Sequence, residues 1–267
     1  MLPIALTIAG SDSGGGAGIQ ADLKTFHAFG VFGTAAITAL TAQNTRGVSA
    51  VHAVPASMVR EQIRAVASDL RPAALKTGML ATAELVRTVA EAIAEDRLEN
   101  IVVDPVMVAT TGARLLDADA EDAIVEYLLP LTSVVTPNLD EAAILAGHAI
   151  EGEADMRRAA EALVARGAAA ALIKGGHLLA DEIADVLYDG REFHVWRRPK
   201  LETTSTHGTG CTLSAAIAAG LAHGRPLTRA VEDALDFVQR AIVEAPGLGE
   251  GHGPLNHFVA ATPVATD

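Results

Sequence analysis

Cysteine is nearly missing from this chain. Cys211 is the only one in 267 residues, which excludes an intramolecular disulfide and any multi-cysteine zinc site and fits a reducing cytoplasm. The N-terminus, Met1-Leu2-Pro3-Ile4-Ala5-Leu6-Thr7-Ile8-Ala9-Gly10, has no basic region, and its apolar run is too short for a signal peptide followed by a cleavage site. No stretch reaches the ~20 apolar residues of a membrane span. There is no long block of like charge. Basic residues are scarce: 20 Lys and Arg stand against 33 Asp and Glu, a net charge of −13. That balance argues against non-specific nucleic-acid binding, which needs clustered Lys and Arg beside phosphates. We therefore expect a soluble, unprocessed, cytoplasmic protein with neither a membrane nor a nucleic acid as partner.

Hydrophobic residues make up 50% of the chain, enough for one well-buried α/β domain, which can run to roughly 250 residues. We see no linker or composition break and expect a single domain over 1–267. Residues 246–267, rich in Gly, Pro and His near their start, form a C-terminal extension. Short β-branched runs alternate with longer segments of helical periodicity. The expected strands are Ile4–Ile8, Leu75–Thr77, Ile101–Val103, Val134–Thr136, Ala170–Ile173 and Ala184–Tyr188. Asp189-Gly190 is a hairpin signal that adds a strand at Arg191–Val195. Helical spacing appears in Val59, Ile63, Val66 and Leu70, in Leu85, Val89 and Ile93, and in Leu227, Val231, Leu235, Val238 and Ile242. Asp155 should precede a helix that Gly167 ends, and Pro130 should stop one running from about Asp119. The runs near 101, 134 and 170 are apolar on both faces, as in a parallel sheet covered by helices on both sides.

Ligands of such sheets sit beyond the carboxyl ends of the strands, and the suggestive residues fall there. Ser11-Asp12-Ser13-Gly14-Gly15-Gly16-Ala17-Gly18 is neither a Walker A loop nor a Rossmann fingerprint; it is either a tight turn or a close backbone approach to a ligand. Thr206-His207-Gly208-Thr209-Gly210-Cys211-Thr212 runs into an apolar helix, and amides at a helix start bind anions. Such amides suit phosphoryl transfer, whose charge spreads over the oxygens of the moving group. Cys211, in the first turn, reads three ways: a covalent nucleophile with His207 as base, a member of the anion hole, or an inert thiol. Asp104, ending a strand, can bind magnesium or cap a turn. Asn138 and Glu141 have capping-box spacing, and Glu141 can also face a magnesium-bound water. Lys174-Gly175-Gly176-His177 can sit beside a polyphosphate or be a surface turn. In an acidic chain, a metal ion, helix starts and a few lysines must supply the positive potential that a triphosphate needs.

Taken in order, these segments resemble the hydroxymethylpyrimidine/phosphomethylpyrimidine kinases of thiamin biosynthesis, in the ribokinase-like superfamily. The match runs from about Ala5 to about Phe258. It is carried by Ala9 through Lys24, Thr41-Ala42-Gln43-Asn44-Thr45, Lys76-Thr77-Gly78-Met79-Leu80, Asp104-Pro105-Val106-Met107, Thr136-Pro137-Asn138, Lys174 to His177, Thr206 to Thr212, and Gly251-His252-Gly253-Pro254. The resemblance implies a three-layer α/β/α sandwich with a mostly parallel sheet. It implies ATP as phosphoryl donor, Mg2+, and transfer first to 4-amino-5-hydroxymethyl-2-methylpyrimidine and then to its monophosphate. It maps the pyrimidine site onto Gly10, Asp22, Gln43, Met79 and Val106, with the Gln43 amide, donor and acceptor at once, reading the aminopyrimidine edge. It maps the anion hole onto Gly208, Thr209, Gly210 and Cys211, nucleotide contacts onto Lys174, Asn138 and Thr206, and the metal onto Asp104 and Glu141. Assembly as a homodimer is also implied. Superfamily sugar kinases usually carry an aspartate where Cys211 stands, which leaves the base open. Two departures are Thr110-Thr111-Gly112, where a lysine and serine are common, and Ser205, where asparagine is frequent. His252 and His257 read as tail packing. The rival readings are a pyridoxal or pyridoxine kinase, a thiol hydrolase using Cys211 and His207, and a non-catalytic nucleotide-binding regulator.

Overall fold

The computed structural model describes residues 2–107, 117–176 and 182–261. Thr110-Thr111-Gly112 and His177 lie outside the described residues. One sheet of nine strands organises them, in the order β3-β2-β1-β4-β5-β6-β7-β8-β9. Its centre is parallel: β1 (Ile4–Asp12) lies between β2 (Phe32–Asn44) and β4 (Ala74–Thr77), followed by β5 (Ile101–Val103), β6 (Val134–Val135) and β7 (Ala171–Ile173). Antiparallel strands finish both edges, β3 (Gly47–Ala53) on one side and β8 (Glu182–Tyr188) with β9 (Phe193–Pro199) on the other.

Strands β4, β5, β6 and β7 are buried at every position, as a sheet covered on both faces demands. On one face, α2 (Ala56–Asp69), α3 (Ala83–Glu95), α5 (Leu139–Ala146) and α6 (Glu153–Ala165) pack Val59, Ile63, Val89, Ile93, Leu145 and Leu163 onto the sheet. On the other, α1 (Gly18–Ala28), α7 (Thr209–Ala222) and α8 (Leu227–Val243) contribute Phe26, Ile217, Val231 and Phe237. The helical run that begins with α4 (Ala118–Ala123) widens into a π turn at Ile124–Leu128 and then tightens into a 3-10 turn at Leu129–Leu131.

All six strands anticipated from the sequence exist. The added hairpin strand starts at Phe193 rather than Arg191, because Asp189, Gly190 (φ +86°) and the two residues that follow make the turn. Two boundary expectations are corrected. Pro130 does not stop its helix; it lies inside the 3-10 turn, near whose start the missing amide costs nothing. Asp155 does not precede α6; it sits in the first turn and accepts from the Glu151 amide at 2.9 Å. Strands β2 and β3 and helix α1 had no counterpart in the sequence reading.

The chain leaves β1 outward to β2 and β3, then returns to β4 on the other side of β1. The reversal opens a crevice at the carboxyl ends of β1 and β4, where open α/β sheets bind ligands. No helix among the described residues is long and apolar enough to cross a membrane.

Candidate active site

A cleft of about 610 Å³ opens along those strand ends. Every candidate site residue named from the sequence lines it except Asp22. Gly10 comes from the last residues of β1, and Met79 and Val106 from the turns after β4 and β5. Gln43 comes from the end of β2, Asn138 and Glu141 from the start of α5, and Lys174 from the turn after β7. Ile183, Leu201 and Ile242 add apolar residues to the lining, together with Lys200.

The segment Thr206–Cys211 forms the floor. Gly208 caps α7 in the left-handed conformation, φ +81°, and a Cβ there would lie 1.8 Å from the Gly16 carbonyl oxygen. Only glycine fits both constraints. The first amides of a helix have no acceptor within it, and α7 is buried almost throughout, so these donors are held rigidly. Gly210 brings the helix start against a charged pair, since a Cβ would meet Lys174 Nζ at 3.2 Å and Asp104 Oδ2 at 3.6 Å.

That pair is the first of two. Lys174 Nζ donates to Asp104 Oδ1 at 3.1 Å and lies 4.0 Å from Glu141 Oε2. Burial works against the charge on Lys174, but Asp104 and Glu141 outweigh it and hold its pKa above the ordinary lysine value. The turn behind it is pinned where buried Asp185 accepts from the Gly175 amide at 3.0 Å. Glu141 closes a capping box with Asn138, and burial pushes its carboxyl up to about 7, with Asp104 adding to the rise. Asp104 also accepts from Ser214 Oγ at 3.3 Å. Carboxylates beside a polyphosphate path are the hard oxygen donors that magnesium takes, so Asp104 and Glu141 fit that ion chemically.

The second pair is sealed. Lys76 Nζ donates to both oxygens of Asp22, at 3.1 and 3.0 Å, and Thr7 Oγ1 donates to Asp22 at 2.6 Å. Both charged side chains are 0% exposed. Burial opposes the lysine charge; Asp22, with Cys211 and Asp104, overcomes it and raises Lys76 above its ordinary value. Asp22 thus lies beneath the cleft, at Lys76, rather than at its wall.

Cys211 faces both lysines. Burial pushes its thiol up to about 11 despite the opposing charge of Lys76, and the Gly18 amide donates to the sulfur. A thiol so placed is protonated at neutral pH. His207 turns Nε2 to Asp12 Oδ2 at 2.9 Å, so the thiol hydrolase reading lacks its activated nucleophile. Asp12 also accepts from the amides of Gly14, Gly16 and Ala17 at 2.7, 3.0 and 2.9 Å. Burial pushes its carboxyl up, but His207 and these amides prevail and hold it below the usual range. The Gly-rich segment is therefore wrapped around an aspartate.

The C-terminal segment closes the construction. His207 N donates to Gly253 O at 3.1 Å, Gly253 N to Thr204 O at 3.2 Å, and His252 N to Thr45 O at 2.9 Å. His257 Nε2 lies 2.9 Å from Thr212 Oγ1. The sequence reading assigned no role to the side chains of Asp12, Lys76 or Asp185. Asp12 and Lys76 lay inside quoted motifs, but their partners are 195 and 54 positions away, beyond any local pattern.

Comparison with known proteins decides the family. The phosphomethylpyrimidine kinase family model matches residues 12–256. The chain belongs to the phosphomethylpyrimidine kinase family. It is 54% identical over 261 residues to a hydroxymethylpyrimidine/phosphomethylpyrimidine kinase of Rhizobium meliloti, covering 97% of this chain and 98% of the relative. It is 51% identical over 259 residues to the thiamine biosynthesis bifunctional protein ThiED of Geobacter sulfurreducens, covering 97% of this chain but spanning only 53% of that longer protein. Among solved structures, pyridoxal kinase from Staphylococcus aureus in complex with AMP-PCP and pyridoxal superposes with TM-score 0.89 at 37% identity, covering 96% of this chain and 94% of that one. Phosphomethylpyrimidine kinase from Clostridium difficile gives 0.81 at 41% identity, over 90% and 99%. The fold is the ribokinase-like sandwich anticipated from the motifs, and the family is one of kinases.

Proposed function

We propose that the chain moves the γ-phosphoryl group of ATP to the hydroxymethyl oxygen of 4-amino-5-hydroxymethyl-2-methylpyrimidine, and then a second group to the resulting monophosphate. One observation carries this reading. Lys174, Asp104 and Glu141, on the nucleotide side, and Gln43, Met79 and Val106, on the acceptor side, open onto one cleft across the Gly208–Cys211 turn. The names of the relatives support the same substrate.

In this reading the pyrimidine lies against Met79 and Val106 with its amino edge on Gln43. Its hydroxymethyl oxygen points at phosphorus above the α7 amides. The polyphosphate extends past Asn138 and Thr206 toward Lys174, and the base packs on the apolar side chains of Ile183, Leu201 and Ile242. As the bond to the leaving diphosphate opens, charge spreads over the phosphoryl oxygens. The α7 amides and Lys174 neutralise it there. A loose transition state asks little of a base, so the protonated Cys211 thiol orients the acceptor oxygen. Magnesium, held by Asp104 and Glu141 directly or through water, would supply charge neutralisation between the phosphates. A donor-rich hole accepts either a hydroxyl or a phosphate as nucleophile.

Assembly as a homodimer in the cytoplasm completes the reading. Edge strand β3, with Val51 exposed, leaves a sheet margin that a second copy would cover; sedimentation at twice the chain mass is the expected result. The test of function is ADP release with the aminopyrimidine and magnesium, abolished by excess EDTA. The likeness to pyridoxal kinases favours a second reading. Pyridoxal turned over with kcat/KM equal to that of the pyrimidine would support it.

A further inference from the structure

Gln43 enters the cleft where the register between β2 and β3 shifts after Ala42, passing over Ser49 of β3. Ser13 fixes the backbone there: its hydroxyl accepts from Gln43 N and donates to Gln43 O, both at 2.8 Å. The side-chain amide then lies between two groups, with Oε1 3.0 Å from Thr41 Oγ1 and Nε2 3.3 Å from His207 Nε2. The two ends of an amide are nearly the same size, and a half-turn of the terminal torsion exchanges them. The hydrogens of the neighbours decide which end goes where.

Thr41 Oγ1 is also 3.0 Å from the Ser11 carbonyl oxygen. A carbonyl can only accept, so the single hydroxyl hydrogen is committed to Ser11. Thr41 therefore shows Gln43 its lone pairs. His207 Nε2 is 2.9 Å from the Asp12 carboxylate, and both side chains are more than nine-tenths buried. An ionised carboxylate also only accepts, so Nε2 carries a hydrogen in the neutral ring as in the charged one. Two donors pointed at each other would repel. Exchanging the two ends of the amide, so that its nitrogen faces Thr41 and its oxygen faces His207, gives each neighbour the partner its hydrogens require. One N–H and one oxygen lone pair are left to open on the cleft, in a fixed order.

We infer that Thr41 and His207, the latter anchored by Asp12, are specificity-determining positioning residues that lock the Gln43 amide in the one orientation that reads a 4-aminopyrimidine edge. The inference rests on the aminopyrimidine reading above. A ring nitrogen beside an exocyclic amine presents acceptor then donor. The 4-oxo analogue, a ring N–H beside a carbonyl, presents the reverse and would need the amide turned over. A site built to pair polar groups rejects a mismatched pattern strongly. Releasing the lock lets Gln43 turn and weakens the rejection.

The test compares kcat/KM for three acceptors, the 4-amino, 4-unsubstituted and 4-oxo forms of 5-hydroxymethyl-2-methylpyrimidine, in wild type, Thr41→Val, Thr41→Ser and His207→Phe. The wild type should prefer the amine. The ratio of amine to 4-oxo turnover should fall about tenfold in Thr41→Val and His207→Phe, the scale of one directed hydrogen bond. Thr41→Ser should restore it. Rates on all acceptors falling together, with the ratio unmoved, would overturn the lock and leave the aminopyrimidine reading standing. A wild type that turned over none of the three would defeat that reading and this inference with it. Should His207→Phe not fold, Thr41→Val carries the comparison. Imidazole nitrogen NMR of the wild type adds a readout independent of turnover: His207 should carry its proton on Nε2, and a bare Nε2 would overturn the inference.

Discussion

Two lysine–aspartate pairs stand beside one cysteine, and they differ in almost everything but composition. Lys76 and Asp22 are wholly buried, joined by two hydrogen bonds, with Thr7 adding a third to the carboxylate. Lys174 and Asp104 share a single hydrogen bond, and the lysine is 16% exposed at the cleft wall. A sealed pair, with neither side chain exposed, is closed to anything arriving from solvent. Its charges were taken from water at a cost that only each partner repays to the other. An open pair keeps donors and an oxygen for something that arrives later. The same residue types thus serve structure at one site and exchange with a ligand at the other, and exposure makes the difference.

The largest effect should come from breaking the sealed pair. Lys76→Met leaves a carboxylate without its cation and should lower the unfolding free energy by about 3–5 kcal/mol at pH 7.5. Urea denaturation checks it. Without the lysine, burial raises the Asp22 pKa in the folded state. The deficit should therefore be small at pH 5 and grow as pH rises. The double variant Asp22→Asn/Lys76→Met should recover most of the loss. A single variant as stable as wild type would erase the distinction between the pairs.

Next comes the open pair. Lys174→Met should lower kcat/KM for ATP about a hundredfold, or ~2.7 kcal/mol of transition-state stabilisation, while costing less than half the stability lost at Lys76. Equal stability losses at both lysines would break the comparison from the other side. Glu141 sharpens it through pH. Its folded pKa, about 7, lies above the ordinary value of 4.5. The stability it contributes is therefore complete below pH 4.5 and lost as pH rises through 7. Nucleotide affinity in magnesium should move oppositely, strengthening about tenfold at most between pH 6 and 8 as the carboxylate ionises. Glu141→Gln, which keeps the capping box, should flatten both profiles, as calorimetry would show. The smallest effect belongs to Cys211→Ala, which should lower kcat a few-fold and leave nucleotide affinity unchanged. Loss of all turnover would revive the thiol as a reacting group.

The sequence made the chemistry visible where it was local. Strand ends, glycine turns and the Asn138–Glu141 box follow from neighbours a few positions apart. Strand β2 was not legible because Thr34, Ala35, Ala36, Thr38 and Ala39 form a weakly apolar run, and alanine is a poor marker of a strand. Its length and burial come from β1 and β3 on its flanks. Asp22 was assigned to the pyrimidine site through family resemblance. Its burial beneath the cleft depends on Lys76, which no spacing reveals. The Asp12–His207 contact likewise joins the first loop to a turn near the end of the chain. Pairings of that range are set by topology, and topology is what a single sequence states least directly.

The Gly251–Pro254 segment has a bearing on synthesis. It bridges Thr45, Thr204 and His207, so the floor of the cleft is tied to residues translated long after the strands that line it. A nascent chain cannot finish this pocket while that stretch is still inside the ribosomal tunnel. Catalytic competence should appear abruptly, once residues 251–254 have emerged, and not gradually as the sheet grows.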